Sequence, residues 1–253
     1  MNRHTGVRGG VVAVALLLGV SGCGGPGNSG DGKPAGKPGG ASPSASAPAP
    51  ASSPSAPPPA GDAKPASGDV LPGMVDAASA RTQLAALTTG KPGTMAGYSR
   101  DKFTHWAEQG NKCDTRETVL GRDGANVAQD SECRAVSGSW KSLYDGVSVN
   151  EASKLDIDHM VPLAEAWRSG AARWDAAKRK AFANDLTRPQ LLAVSAASNR
   201  SKGDQSPDLW QPPDRSSWCQ YGRAWTTVKS HYGLTVTEAE RAMLTTMIDT
   251  CAS

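Results

Sequence analysis

Residues 24–68 of this 253-residue chain hold Gly, Pro, Ala and Ser with a few charges, and no aliphatic side chain larger than Ala. Such a stretch cannot bury enough apolar surface to offset the entropy of ordering it. Any core must therefore be built from residues 75–253, which are enough for one domain with a substantial interior. The segment over 23–74 is expected to be a disordered tether. Its mixture of Gly, Ser and Pro lets it extend far from whatever holds its start.

Upstream, Arg3 and Arg8 precede an apolar run over 11–20. The run is too short for a bilayer, which takes about 20 residues, but it suits the central region of a signal peptide. Val20-Ser21-Gly22-Cys23 resembles a lipobox, so residues 1–22 are expected to be a lipoprotein signal peptide and Cys23 the lipidated first residue. Several buried acyl chains anchor firmly, at about 0.8 kcal/mol per methylene. The domain would then stand on the extracellular face of a bacterial cell membrane. Cleavage without lipidation would make it a secreted protein.

Two stretches of the remaining chain carry chemistry: L-D-I-D-H-M-V-P-L over 155–163 and S-N-R-S-K-G-D over 198–204. The oxygen-bearing side chains of Asp158 and Asn199 suit a hard divalent cation, Mg²⁺ first, with Mn²⁺ or another divalent ion as alternatives. His159 is the natural base, because only histidine has an unperturbed pKa near neutrality. Read as a strand, residues 155–161 put Leu155, Ile157, His159 and Val161 on one face and Asp156, Asp158 and Met160 on the other. For Asp158 and His159 to serve one site, a kink or bulge is expected between them. Asp156 reads as a solvated strand residue or a partner behind Asp158.

The D-H-x-V-P run, the later Asn184 and N-R-S-K-G-D resemble the secreted HNH (His-Me finger, ββα-metal) endonucleases, a family related to the C-terminal domain of GmrSD restriction enzymes. The similarity extends over about 98–251. It implies an α+β fold with a ββα-metal core embedded in helices. It also implies Asp158 and Asn199 as metal ligands, His159 as general base, and Asn184 as a residue that orients the active-site loop. Asp158 stands where many members have His. Asn199 and Lys202 are three apart on one helix and share a face, so Lys202, with Arg200, is expected to meet substrate phosphate.

Four cysteines lie beyond the tether: Cys113, Cys133, Cys219 and Cys251. An even number without a C-x-x-C pair in an exported domain reads as two disulfides. Trp218, Tyr221, Trp225, Val228 and Tyr232 recur at helical spacing, and Thr237 with Glu240 forms a capping box that opens a second helix. With Gly233 between them, the two helices should run antiparallel. That brings Cys219 to Cys251 and leaves Cys113 for Cys133.

Elsewhere the pattern predicts a helix over 99–109 with Phe103 and Trp106 inward, and strands over 115–120 and 133–136. A hairpin is expected around Asp145-Gly146, a helical turn over 163–168, and a helix capped by Asp175 that runs to about 185. A strand over 191–194 and a helix over 196–202 closed by Gly203 complete the order. His105 and His231 read as structural. Of the seven tryptophans, Trp106, Trp140, Trp167, Trp218 and Trp225 fall at core positions and Trp210 at an exposed one.

Formal charge is +3, with 27 Lys and Arg against 24 Asp and Glu, too even a balance to mark a nucleic-acid binder by itself. A local surplus, Arg168, Arg173, Lys178, Arg179, Lys180, Arg188, Arg200 and Lys202, surrounds the second motif. A solvated helix face accounts for Lys178 to Lys180 as well as a phosphate track does. The reading that results is a monomeric, divalent-metal-dependent endonuclease of DNA, or of RNA, without sequence specificity. The rival is a cell-envelope binding module with the same fold and no turnover.

Overall fold

The structure, a computed structural model, describes residues 71–252. The expected signal peptide, Cys23 and nearly all of the tether lie outside the described residues. Leu71, Met74 and Val75 already pack on the main core. Asp76 then starts α1 (Ala77–Ala86) by accepting the Ser79 N–H, one of the backbone donors a helix start leaves unpaired.

The helix expected over 99–109 does not form. A single 3₁₀ turn at Arg100–Lys102 delivers Phe103 fully buried into the core. Trp106, Asn111 and Lys112 take φ of 59°, 49° and 62°, left-handed conformations that no α-helix tolerates in its interior. The chain makes a short antiparallel pair there, β1 (Glu108–Gly110) with β2 (Cys113–Asp114). The strand expected over 115–120 is also absent, replaced by the helix α2 (Thr115–Asp123). Asp114 caps it by accepting the Glu117 N–H, and Thr115, Val119 and Leu120 share its buried face. The β-branched Thr115, Thr118 and Val119 favour a strand, but a strong N-cap and helical spacing prevail.

Beyond α2 lies a three-stranded antiparallel sheet, β3 (Ala125–Gln129), β4 (Ala135–Lys141) and β5 (Ser148–Val149). The strand begins at Ala135 rather than 133 because Asp130 gathers the N–H groups of Glu132 and Arg134 into a turn, with Cys133 at φ 63°. The hairpin at Asp145-Gly146 is present, with Gly146 at φ 69°. A disulfide joins Cys113 to Cys133.

Next come β6 (Leu155–His159), α3 (Leu163–Arg168), α4 (Ala176–Ala183) capped by Asp175, β7 (Leu191–Ser195) and α5 (Ala196–Lys202). β6 and β7 form a sheet of two antiparallel strands, paired without interruption from Leu155↔Ser195 to His159↔Leu191. Both faces are covered. Leu155, Ile157, Leu191 and Ala193 pack with Val119, Leu120 and Trp140, while Leu192, Val194 and Met160 belong to the larger core. Gln190 brackets the turn after β6 with its side-chain amide, bonded to both the N–H and the C=O of Val161.

The chain closes with α6 (Trp218–Tyr232) and α7 (Glu238–Ile248). Gly233 ends α6 at φ 66°, a left-handed position without penalty for glycine. Thr237 and Glu240 form the capping box. A Cβ at Gly222 would stand 2.9 Å from that of Met247, so glycine permits the helices to approach. The second disulfide joins Cys219 to Cys251. The hairpin is fastened to α3 by Lys229, fully buried, whose Nζ lies 3.0 Å from Glu165 Oε1 and 2.9 Å from Glu240 Oε2. The whole is a mixed fold of helices and small separate sheets with two disulfides.

Candidate active site

A cavity of about 340 Å³ opens beside the end of β6, lined by Ile157, Asp158, His159, Asn199, Arg200 and Asp204 together with Tyr98 and Arg100. Three consecutive strand residues line it, although their side chains alternate in direction. That is possible because the sheet has two strands, which leaves one edge of β6 without a partner strand. The bulge expected between Asp158 and His159 is therefore not needed, and the ladder runs unbroken through both.

His159 is buried, and its Nε2 lies 3.0 Å from the Ala183 carbonyl oxygen. A carbonyl can only accept, so Nε2 carries the proton and Nδ1 of the neutral ring is left with its lone pair. Burial holds the imidazole down to about 3, and the positive charges of Arg100 and Lys202 add to the effect. The ring packs beside Trp106 and His105.

The peptide that receives His159 is itself fixed by Asn184. Its Oδ1 accepts from the Ala107 N–H at 2.9 Å and the Thr115 hydroxyl at 2.8 Å. Its Nδ2 donates to Thr104 O at 2.7 Å and Lys180 O at 2.8 Å. Asn184 thus stands behind the histidine rather than in the cavity, and all its hydrogen-bonding capacity is used in tying the end of α4 to residues 104–107 and to α2.

Asp158 is buried, with Oδ2 2.5 Å from the Tyr144 hydroxyl and 2.8 Å from Lys202 Nζ. Both neighbours occupy the same oxygen, and no described residue bonds to Oδ1. Lys202 is fully buried, and it also donates to the His159 carbonyl at 3.0 Å. The expectation that Lys202 meets substrate phosphate is corrected by this placement. An ammonium with no exposure, bonded to the Asp158 side chain and a backbone carbonyl, is turned inward and serves as the partner that a buried acidic group requires. Burial lowers the Lys202 pKa, and the Asp158 charge works against that shift.

Asn199 sits one turn earlier on α5 and donates Nδ2 to Asp156 Oδ2 at 3.0 Å. Arg200, its side chain 78% exposed, lines the cavity with Nε 4.0 Å from the same Asp156 oxygen. The start of α5 is pinned in turn by Asp145, which accepts from the hydroxyls of Ser195 and Ser198. On the cavity's far rim Asp204 takes a 2.7 Å ion pair from Arg168, a hydrogen bond that lowers its pKa.

Sequence reasoning did not find Tyr144, Arg100 or Asp204. Tyr144 lies in a hairpin with no motif around it, and only the fold brings its hydroxyl to Asp158. Trp210, expected to be exposed, is half-buried. Its ring packs 5.2 Å from that of Tyr144, and its Nε1 donates to Ser201 Oγ.

A divalent cation fits what these residues offer. Asp158 and Asn199 both line the cavity, and Oδ1 of each, a carboxyl and an amide oxygen, has no partner among the described residues. No group of three or more His, Cys, Asp or Glu side chains suited to a metal occurs among the described residues. A cation held here would thus rest on few protein oxygens and keep several waters, as Mg²⁺ prefers.

The sequence matches the profile of GmrSD restriction endonucleases, C-terminal domain, over residues 115–247. The match spans the cavity residues of β6, α3 and α5, while Tyr98 and Arg100 lie before it. The chain is also 52% identical over 189 residues to an uncharacterized secreted protein of Arthroderma benhamiae, covering 75% of this chain and 93% of that protein. No solved structure matches. With more than half of its length inside the profile, the chain belongs to the family of GmrSD restriction endonuclease C-terminal domains.

Proposed function

We propose that the protein is an HNH-type endonuclease that hydrolyses DNA with the help of a divalent cation, outside the cell membrane. The observation that supports this reading is that Asp158, His159 and Asn199 line one cavity, with His159 Nε2 engaged by the Ala183 carbonyl so that Nδ1 keeps its lone pair. Strand, helical excursion, strand and helix over 155–202 match the order of a ββα-metal core.

His159 Nδ1 takes a proton from the attacking water, and the Ala183 carbonyl steadies the ring by its bond at Nε2. In the substrate-free protein the ring is a weak base. A phosphodiester entering the cavity brings negative charge that offsets Arg100 and Lys202, so substrate binding raises the proton affinity of Nδ1 when the proton must move. Asp158 and Asn199 would hold the cation, which when bound would supply positive charge to offset the negative charge that develops as the phosphodiester is cleaved. Arg200 and Arg100 hold backbone phosphate. Contacts of that kind position a strand without reading its bases, which supports cleavage without sequence specificity and leaves RNA as a second substrate. Two disulfides fit an oxidising compartment, in line with a secreted relative, and lipidation at Cys23 would keep the enzyme at the membrane.

The roles separate by kinetics against metal concentration. His159→Ala should cost about 10²- to 10⁴-fold in cleavage rate with metal affinity intact. Asp158→Ala and Asn199→Ala should weaken the metal and recover part of their activity at high Mg²⁺ or Mn²⁺. Full activity of His159→Ala would remove it as the base.

A further inference from the structure

Asn199 can serve a cation through only one of its two amide atoms, and the choice between them is set by a residue outside the cavity. Asp156 does not line the cavity. It stands two residues before Asp158 on β6, its side chain 32% exposed, with Oδ2 3.0 Å from Asn199 Nδ2. A carboxylate is an acceptor only, so the amide must turn its NH₂ group toward Asp156. Asn199 lines the cavity, and with Nδ2 so engaged, Oδ1 is the atom left to face it. Were the amide reversed, two oxygens would meet at Asp156 and an NH₂ group, which no cation accepts, would face the cavity.

We propose that Asp156 is a positioning residue that locks the Asn199 amide with Oδ1 toward the cavity, and so makes Asn199 competent as a cation ligand. The second half of this assignment rests on the proposed function as a metal-dependent nuclease; the first half stands on the hydrogen bond alone. Asp158 is treated alike from its own side. Lys202 and Tyr144 occupy Oδ2 and leave Oδ1, so each prospective ligand has one atom tied back and one offered. Groups behind a ligand that fix its orientation carry a share of metal affinity, typically tenfold or more.

The test uses the full chain in detergent and two readouts that do not involve turnover. In metal-free protein, the side-chain amide of Asn199 is tracked by NMR. One Nδ2 proton should be shifted and protected from exchange in the wild type, and should lose both properties in Asp156→Ala. In calorimetric titrations with Mn²⁺, Asp156→Ala should bind on the order of tenfold more weakly. Asp156→Asn removes the charge but keeps an oxygen for Nδ2, and Arg200 favours that oxygen on the same side, so it should retain most of the wild-type affinity. An unaltered Asn199 amide signal in Asp156→Ala overturns the proposal. So does an Asp156→Asn affinity as low as that of Asp156→Ala, which would mean that Asp156 acts by charge and not by orientation. If Asp158→Ala and Asn199→Ala both bind Mn²⁺ as the wild type does, the metal reading of the cavity fails, while the amide signal still decides whether Asp156 holds Asn199.

Discussion

Acidification exposes what burial does to His159. In the unfolded chain its imidazole has the ordinary value of 6.5, and in the folded protein burial lowers it to about 3. Between these values the unfolded chain binds a proton that the folded one refuses, so stability falls as pH falls, by about 1.4 kcal/mol per unit. The contribution is complete above 6.5 and is lost progressively down to about 3. Over the two units between about pH 6.5 and about pH 4.5 the loss is on the order of 2 kcal/mol, because the unfolded imidazole is only half-protonated at the start of that range. His159→Gln has no such proton and keeps an N–H for the Ala183 carbonyl. Urea unfolding midpoints of the two proteins, compared across that range, isolate the imidazole, because every carboxylate that titrates is common to both. The wild type should lose about 2 kcal/mol more than the variant. Parallel pH profiles would refute this, since they would mean that the ring is hydrated and titrates as it does in the unfolded chain. A second consequence is kinetic: mild acid should not switch off the free enzyme through His159, because the ring stays neutral there.

Lys202→Met breaks its buried ion pair with Asp158 and should cost about 3–5 kcal/mol, read by urea unfolding; an unchanged midpoint would mean that the pair contributes nothing to stability. Breaking the Cys219 to Cys251 disulfide, which spans 32 residues, by replacing both with Ser should cost about 4 kcal/mol on the chain-entropy account. Thermal unfolding with and without reductant measures it, and the double variant should be insensitive to reductant at this bridge.

Legibility in the sequence depended on how local the determinants were. The last two helices, their turn and the Cys219 to Cys251 disulfide could be read because each signal sits within a few residues of the element it sets: Gly233, the Thr237 and Glu240 box, apolar spacing. The same holds for Asp175 before α4 and Gly203 after α5. α2 differs from the strand expected there although Asp114 and Glu117 mark its start; its β-branched Thr115, Thr118 and Val119 point to a strand, and the cap outweighs them. Residues 99–109 failed for another reason, since apolar spacing at Phe103 and Trp106 says nothing of a backbone that tertiary contacts hold at positive φ. At the site, the motif residues were visible but their surroundings were not. Whether Lys202 faces phosphate or Asp158 depends on which side of α5 meets β6, and the arrival of Tyr144 depends on the packing of a distant hairpin. Spacing along one helix carries neither.

Hydrolysis of phosphodiester bonds in this cavity, with a cation held at Asp158 and Asn199, is open to a plain test: supercoiled plasmid incubated with the purified protein, with Mg²⁺ and with EDTA. Nicked and then linear DNA is expected with Mg²⁺ and intact supercoils with EDTA, and an Asp158→Ala protein should behave at low Mg²⁺ as the wild type does with EDTA. Cleavage undisturbed by EDTA, or intact plasmid under every metal condition, would contradict the assignment.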